Sequence, residues 1–286
     1  MALLLGAGGV LGSRMKLAPF ITAGLALSLA ACGLDASIKA PHGDSYTAAL
    51  QEADAARKAG ELDVAVPLYG RALQANPEGM DAKLGLGESY LALGAGDEAA
   101  AQFRDVLARR AGDPAAQRGL AAALITQGQP ELAEKQAEKA LASDSHDYRT
   151  LNVLGISLDM QGRHAEAQAR YREGLALAPD DAALRSNMGL SLAIVGQPQE
   201  AIAQLLPLAS GPKADGRIRQ NLAFAYAMAG DFENSLQVSR RDLDEVHAQR
   251  QLSYFMRLRA LSPQARSVEM RRNPYFFPQA SAARAT

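Results

Sequence analysis

The fold is decided by the stretch YRTLNVLGISLDMQGRHAEAQARYREGLALAP, which runs from Tyr148 to Pro179. Its first part places apolar residues three or four positions apart, as they occur along one face of a helix. Gly162 then interrupts the pattern, as glycine does where a helix ends in a left-handed residue. A second periodic run ends at Pro179, since proline cannot continue a helix. The stretch therefore predicts two helices joined by a tight turn.

The same pattern recurs every 34 residues. Glycine occupies the turn position six times without a slip, at residues 60, 94, 128, 162, 196 and 230. Small or apolar residues recur at three further positions, which lie five residues after this glycine, four before it and seven before it. They are Ala65, Ala99, Ala133, Ala167, Ala201 and Ser235, then Ala56, Tyr90, Leu124, Leu158, Leu192 and Tyr226, and finally Ala53, Gly87, Ala121, Gly155, Gly189 and Ala223. Four positions locked to one period predict six stacked helical hairpins.

This pattern resembles the tetratricopeptide repeat, a 34-residue helical hairpin. The fourth unit shows it well, with Leu151, Leu154, Gly155, Leu158, Gly162, Ala167, Tyr171 and Pro179. The resemblance implies an all-α fold, a right-handed α-solenoid of about six repeats plus a C-terminal capping helix. The units begin at Tyr46, Met80, Pro114, Tyr148, Ala182 and Gly216, and they occupy residues 46–249.

Two units depart from the repeat pattern. In the third unit, Ala137 replaces the large residue of the second helix, and Ser145 replaces the proline. In the sixth unit, Ser235 and Ser239 replace the alanine and the large residue. A terminal repeat faces solvent on one side, so a departure in the last unit is expected.

The segment after the sixth unit predicts one more helix. Residues 250–262 read as a capping helix that covers the open end of the solenoid, with Leu252, Phe255, Met256 and Leu258 as its apolar residues. Residues 263–286 read as a basic and aromatic tail that contains the run RRNPYFFP at residues 271–278. Two interpretations of this tail stay open: a linear docking motif for a partner or for anionic headgroups, or a segment folded back on the last repeat.

The first residues are typical of a processing signal. Arg14 and Lys16 precede an uncharged stretch from Leu17 to Ala31, which is shorter than the roughly 20 residues needed to span a bilayer. The motif Leu29-Ala30-Ala31-Cys32 resembles the lipobox of bacterial lipoproteins and holds the only cysteine of the chain. This resemblance implies a signal peptide at residues 1–31 and a lipidated Cys32 that anchors the chain to a membrane.

The alternative is an ordinary cleaved signal followed by a cysteine by chance. Met15 also predicts an internal start, with residues 1–14 as an extension. Residues 32–45 read as a tether between the lipid and the repeats, because Pro41, Gly43 and Ser45 interrupt regular structure. Gly33 follows the cysteine, where an Asp in such lipoproteins often signals retention in the inner membrane. By analogy, the sequence predicts outer-membrane sorting.

Composition excludes several function classes. The 286 residues hold 30 basic and 31 acidic side chains, so the net charge is −1 and a nucleic-acid partner is not expected. The charge is nevertheless uneven, since residues 240–286 carry nine basic and four acidic side chains. A single cysteine excludes an intrachain disulfide and a multi-cysteine zinc site.

Candidate catalytic residues are sparse. His164 and Glu166 are near each other, but they lie at a turn and at the start of a helix, so a metal or acid–base role is not expected. Asp144, Asp180 and Asp181 fall at repeat junctions and predict helix N-caps. The repeats leave no room for a separate catalytic domain. The sequence therefore predicts a protein that is not an enzyme and that holds no cofactor or metal.

The resemblance to tetratricopeptide proteins implies a binding groove lined by the first helix of each unit. The candidate residues of units four to six are Arg149, Asn152, Ile156, Asn187, Leu190, Arg217, Gln220, Asn221 and Phe224. Asparagine amides bond a peptide backbone and arginine binds a carboxylate, so we expect a protein or peptide partner. The alternative is that Arg149 and Arg217 are solvated helix residues. Units one to three predict a more acidic groove, with Asp54, Arg57, Asp81 and Glu88.

The order of segments along the chain resembles a more specific protein family. A lipobox-like motif, a short tether and six repeats are combined with the stretch IRQNLAFAYAMAGD at residues 218–231. This combination resembles the TadD family, the tetratricopeptide lipoproteins of tight-adherence (Flp) pilus systems. The resemblance implies an outer-membrane lipoprotein that faces the periplasm and serves pilus assembly or secretion as an adaptor or chaperone, with a secretin or another pilus component as partner. Two alternatives stay open: a scaffold for outer-membrane protein insertion or polysaccharide export, and an accessory peptidase or murein hydrolase.

Overall fold

The computed structural model describes residues 42–211 and 214–273, with side chains from Ser45 onward. Within these residues the chain forms helices and no strand. The helices are α1 (His42–Ala59), α2 (Leu62–Ala75), α3 (Met80–Ala92), α4 (Gly96–Arg109), α5 (Pro114–Thr126), α6 (Pro130–Ser143), α7 (Tyr148–Met160), α8 (His164–Leu177), α9 (Ala182–Ile194), α10 (Pro198–Ser210), α11 (Gly216–Ala229), α12 (Phe232–Ser239), α13 (Glu245–Arg259) and α14 (Pro263–Arg271).

Consecutive helices pack in pairs, from α1 with α2 to α11 with α12. The first helix of each pair also contacts the first helix of the next pair, so the pairs stack in one direction. The predicted all-α solenoid of six helical hairpins is therefore confirmed.

Each of the six periodic glycines adopts a left-handed backbone, with φ between 71° and 87°. The N–H of the following residue bonds the carbonyl five residues earlier, as from Arg163 to Leu158 and from Gln197 to Leu192, both at 2.9 Å. This pattern is the Schellman motif, which ends a helix and turns the chain back on itself. A residue with a Cβ costs roughly 1–2 kcal/mol in this conformation, which explains glycine at every turn.

Large residues in the second helices set the spacing between helices. Tyr171 is fully buried, and a Cβ added to Gly155 would clash with its ring. Similar clashes would arise between Gly87 and Phe103, between Gly119 and Phe103, and between Gly189 and Leu205. The small residues of the first helices are therefore needed because the large side chains of the second helices occupy that space.

Aspartate caps four successive first helices. Asp113, Asp147, Asp181 and Asp215 each accept a backbone N–H from the first turn of α5, α7, α9 and α11, and they lie 34 residues apart. The predicted cap at Asp181 is confirmed. The predicted cap at Asp144 is wrong, because Asp144 ends α6 and Asp147 caps α7. Asp180 instead lies 3.5 Å from Arg185.

The C-terminal helices differ from the prediction of one helix at residues 250–262. The second helix of the sixth unit, α12, ends at Ser239, and Asp244 caps α13, so the capping helix begins five residues earlier than predicted. Leu252, Phe255 and Leu258 are buried as expected, whereas Met256 is 45% exposed. Residues 263–271, predicted to belong to the tail, form α14, whose start is capped by Ser262.

Three arginines of α13 and α14 bind the C-terminal ends of α7, α9 and α11, the first helices of units four to six. Each donates to a backbone carbonyl two residues before a turn glycine, where the helix carries a partial negative charge. The donors and acceptors are Arg259 to Met228 at 3.3 Å, Arg266 to Ile194 at 2.7 Å and Arg271 to Met160 at 2.9 Å. The acceptors are 34 residues apart, so α13 and α14 bind the same position of three consecutive units.

Several predictions lie outside the described residues. These are the signal peptide, Cys32, most of the tether, and the tail from residue 274. Within the predicted tether, α1 already begins at His42. Among the helices in the described ranges, none has the length and apolar character required to cross a membrane.

Candidate binding face of the first helices

The side chains that α1, α3, α5, α7, α9 and α11 direct away from their paired helices form a surface that we call the first-helix face. The groove residues predicted from the sequence lie on three neighbouring helices of this set, which contact one another in order. They are Arg149, Asn152 and Ile156 on α7, Asn187 and Leu190 on α9, and Arg217, Gln220, Asn221 and Phe224 on α11.

The α7 part of the face is open. Arg149 is exposed, and its guanidinium lies 5.3 Å from the centroid of the Tyr148 ring. Asn152 and Ile156 are half-buried, one and two helical turns further along. A cation, an amide and an apolar side chain are thus accessible along one helix. Such a combination suits an extended peptide, whose backbone and side chains offer matching groups.

The asparagines of α9 and α11 are buried and bonded to neighbouring helices. The Asn187 amide donates to Asn152 Oδ1 at 2.8 Å, and the Asn221 amide donates to Ser186 Oγ at 3.1 Å. Both bonds join residues 35 positions apart in successive first helices. Part of the amide capacity that we expected to face a partner is therefore used to hold the helices together.

The face closes at the sixth unit. Leu190 is 7% exposed and Phe224 is fully buried, where it packs edge-on against Phe255 of α13 at 5.3 Å between ring centroids. The prediction that Phe224 lines a groove is thus corrected: it belongs to the core beneath α13. Arg217 remains exposed, and Gln220 is half-buried beside α13. A cavity of about 330 Å³ lies beside this contact, lined by Gln220 and by residues of α13.

The charged residues of the first two units bind one another. The Tyr69 hydroxyl donates to Asp54 at 2.5 Å and accepts from Arg57 Nε at 3.0 Å. Arg57 also pairs with Glu88 at 2.9 Å. Burial and the bond to Asp54 raise the pKa of Tyr69 to about 12, so its hydroxyl stays protonated. Asp81 is exposed. Arg57 therefore neutralises part of the acidic charge at this end of the face, and the more acidic groove of units one to three stays a prediction.

A buried polar cluster joins α7, α8 and α9. Asp159 accepts hydrogen bonds from Tyr171 at 2.9 Å and from Ser191 at 2.8 Å, and its other close contact is His164 Nδ1 at 2.7 Å. Burial raises the pKa of Asp159, while these hydrogen bonds oppose the shift. Ser191 donates to the Asp159 carboxylate rather than to His164, so Ser191 does not make the hydroxyl-to-histidine hydrogen bond that activates a serine nucleophile. Glu166 is paired with Arg163 instead. In the described ranges, no group of three or more potential metal ligands occurs.

Two contacts of the site are not among the predictions from the sequence: the asparagine hydrogen bonds and the packing of Phe255 on Phe224. The asparagine bonds had a signal in the sequence, since Asn187 and Asn221 occupy the same position of adjacent units. For α13 the sequence predicts a capping helix that contains Phe255 but not the contact of Phe255 with Phe224, because the two rings meet only after the chain turns back at residues 240–244.

Comparison with protein families identifies the repeats. Family models match four overlapping stretches, residues 50–114, 89–149, 118–182 and 152–215, and their description is tetratricopeptide repeat. Together these stretches span more than half of the 286 residues. The chain belongs to the tetratricopeptide repeat family.

Solved structures show the same fold, among them TTC0263, which is described as a tetratricopeptide repeat protein. TTC0263 of Thermus thermophilus matches with 24% identity and a TM-score of 0.57, over 63% of this chain and 98% of that one. PilF of Pseudomonas aeruginosa matches with 17% identity and a TM-score of 0.56, over 74% and 99%. A chain of the APC/C hetero-tetramer Cut9–Hcn1 matches with 17% identity and a TM-score of 0.64, over 75% and 43%. A search of curated proteins found no match.

Membership of this family establishes the general role. Tetratricopeptide repeats form scaffolds for protein–protein interaction and bind protein or peptide partners. Proteins built from them are generally not enzymes. The first-helix face is therefore a candidate surface for binding a protein segment.

Proposed function

We propose that this protein is a lipid-anchored adaptor or chaperone that helps to assemble a tight-adherence (Flp) pilus or a related secretion machine. One observation carries the proposal: a tetratricopeptide scaffold follows a signal-like segment that ends in the lipobox-like motif Leu29-Ala30-Ala31-Cys32. The role in pilus assembly is proposed from the similarity of this layout to the TadD family. The location in the outer membrane, facing the periplasm, is proposed from Gly33 after the cysteine.

The open part of the first-helix face supports binding of an extended segment of a partner, such as a secretin or another pilus component. Arg149 and Arg217 are exposed and offer guanidinium groups to acidic side chains. Asn152 and Ile156 are half-buried on the same helix as Arg149, so polar and apolar contacts alternate along the face. Asn187 and Asn221 hold neighbouring first helices together through their amides rather than binding the partner directly.

The membrane anchor is tested with Cys32→Ser, which removes the thiol that would receive lipid. We expect the variant to remain unlipidated and its repeat domain to leave the membrane fraction, because the acyl chains would supply the anchoring energy. Ser28→Ala, four residues upstream, is the matched control and should fractionate like the wild type. An unchanged membrane fraction for Cys32→Ser contradicts the anchor.

Partner binding is tested with Arg149→Gln combined with Arg217→Gln, since both side chains are exposed and their loss spares the core. We expect weaker capture of the secretin from solubilised envelopes. The matched control combines Arg104→Gln and Arg172→Gln, two exposed arginines on the second helices α4 and α8. Equal capture by both double variants contradicts a role for the first-helix face.

A further inference from the structure

The cavity between α11 and α13 is distinct from the open part of the first-helix face. Its volume of about 330 Å³ lies at the lower end of the range for small-ligand pockets, about 300–1,000 Å³. Gln220 contributes from α11, Leu243 from the turn before α13, and the remaining lining comes mostly from α13. The cavity therefore exists because α13 packs across the sixth unit.

The lining is rich in cationic and amide groups. Arg250 and Arg257 both line the cavity, and none of the described lining residues is acidic. Among the residues that the structure describes, neither guanidinium pairs with a carboxylate, and Arg257 lies 5.5 Å from the centroid of the Tyr254 ring. His247, also in the lining, is already held by Asp244 at 2.7 Å. Two positive charges thus face the cavity without a counter-ion from the described chain.

Gln251 adds an amide to the lining. Its Oε1 lies 2.6 Å from the Ser239 hydroxyl, which also lies 3.0 Å from the Ser235 carbonyl, and among the described residues no bond of the Gln251 amide nitrogen occurs. Leu243 and the ring of Tyr254 supply apolar surface beside these polar groups. The cavity therefore matches a ligand that carries a carboxylate next to an apolar group.

We infer that this cavity binds an aspartate or glutamate side chain of a partner segment, with a neighbouring apolar residue against Leu243. The inference rests on the protein-binding part of the proposed function and is independent of the anchor and of the pilus. Gln220 belongs both to the first-helix face and to the cavity lining, so a segment lying on the face can place its acidic residue there.

The charges favour a partner from outside the chain. Residues 240–273 hold eight arginines and four acidic residues. Residues 274–286 hold no aspartate or glutamate, so they offer no acidic side chain to the cavity. A membrane presents phosphate headgroups with the acyl chains buried beneath them, so it does not place an apolar group in the cavity beside the charge, which makes an acidic peptide the better match.

The test is selection of random linear peptides from a display library on the purified full chain. We expect the enriched peptides to carry an aspartate or glutamate beside an apolar residue. Their affinity, measured by fluorescence anisotropy on synthetic copies with amidated C-termini, should fall at least about tenfold when Arg250→Gln and Arg257→Gln are combined. Replacing the peptide's acidic residue by its amide should have a similar effect.

The matched control combines Arg241→Gln with Arg272→Gln, which removes two charges nearby but outside the cavity lining. It should retain the affinity of the wild type. Enriched peptides that lack acidic residues, or that bind the Arg250 and Arg257 variant equally well, overturn the cavity assignment and leave protein binding intact. Arginine-dependent binding of anionic phosphatidylglycerol vesicles in place of peptides also overturns it. A chain that enriches no peptide overturns the protein-binding role as well.

Discussion

Replacing Arg266 should detach α14 from the solenoid. Its guanidinium is buried, and it donates to Ile194 at 2.7 Å and to Leu258 and Leu261 at 3.0 Å, with two longer bonds to other carbonyls. Within the described part of the chain it has no acidic partner, and burial lowers its pKa. The side chain is thus held by backbone carbonyls at helix ends, which carry partial negative charge.

The free-energy cost of replacing Arg266 follows from these hydrogen bonds. Three hydrogen bonds from a charged donor are worth about 1.5–3 kcal/mol each, but the buried charge costs several kcal/mol in lost hydration. Arg266→Met removes both contributions and leaves buried carbonyls without a partner, at about 1–3 kcal/mol for each such group. We expect a net loss of about 2–4 kcal/mol. At about 1.4 kcal/mol per factor of ten, α14 should open roughly 30 to 1,000 times more often.

Amide hydrogen exchange of Ser267 and Met270 measures this opening directly, and urea unfolding followed by circular dichroism measures any global loss. Arg272→Met is the control, because this arginine of the same segment is exposed and lies 3.9 Å from Glu269. The control should change stability by less than about 0.5 kcal/mol. If Arg266→Met and Arg272→Met leave α14 equally protected, the carbonyl contacts do not hold α14 in place.

Two further changes test the repeats. Burial alone would raise the pKa of Asp147, but hydrogen bonds and the Arg118 charge lower it in the folded state. The ionised carboxylate therefore stabilises the fold above about pH 4, the pKa region of an unfolded aspartate. This contribution disappears as the pH falls through the lower folded-state pKa. The unfolding free energy of the wild type should therefore exceed that of Asp147→Asn at pH 7 and approach it in acid; a difference independent of pH contradicts this. Gly155→Ala should cost about 1–3 kcal/mol in urea unfolding, because the new Cβ meets the Tyr171 ring, whereas Gly70→Ala, with open space around it in α2, should be neutral or stabilising by up to about 1 kcal/mol. Equal effects of the two alanines would refute the packing argument.

The sequence predicted the part of the fold that depends on local contacts. Gly162 marks a turn because its own backbone conformation requires glycine, and Tyr171 is buried against Gly155 of the same unit. The spacing of such residues is set within 34 positions, so it is visible along the chain. The aspartate caps follow the same period, and Asp144 was mistaken for the cap because Asp147 lies only three residues away.

The sequence predicts a capping helix after the sixth unit, but it does not predict α14 or the long-range contacts of the two C-terminal helices. Arg271 binds Met160, 111 residues earlier, and no repeat relates the two positions. In the sequence, Arg271 and Arg272 look alike as part of a basic tail, although the first reaches a helix end and the second lies on the surface. A long-range contact of this kind depends on the stacking of three units, which one segment does not encode.

The same contacts restrict where a partner binds. Because α13 covers Phe224 and three arginines bind units four to six through their helix ends, the last units are held in one arrangement before any partner arrives. A preorganised surface costs less conformational entropy on binding than one that must order itself. The exposed Arg149 and Arg217 stand on these braced units, so loss of the α14 contacts should weaken partner binding even though α14 touches neither arginine. Arg266→Met therefore tests whether the α14 contacts contribute to function. If they hold the last units in place for binding, this variant should capture less partner although Arg149 and Arg217 are unchanged.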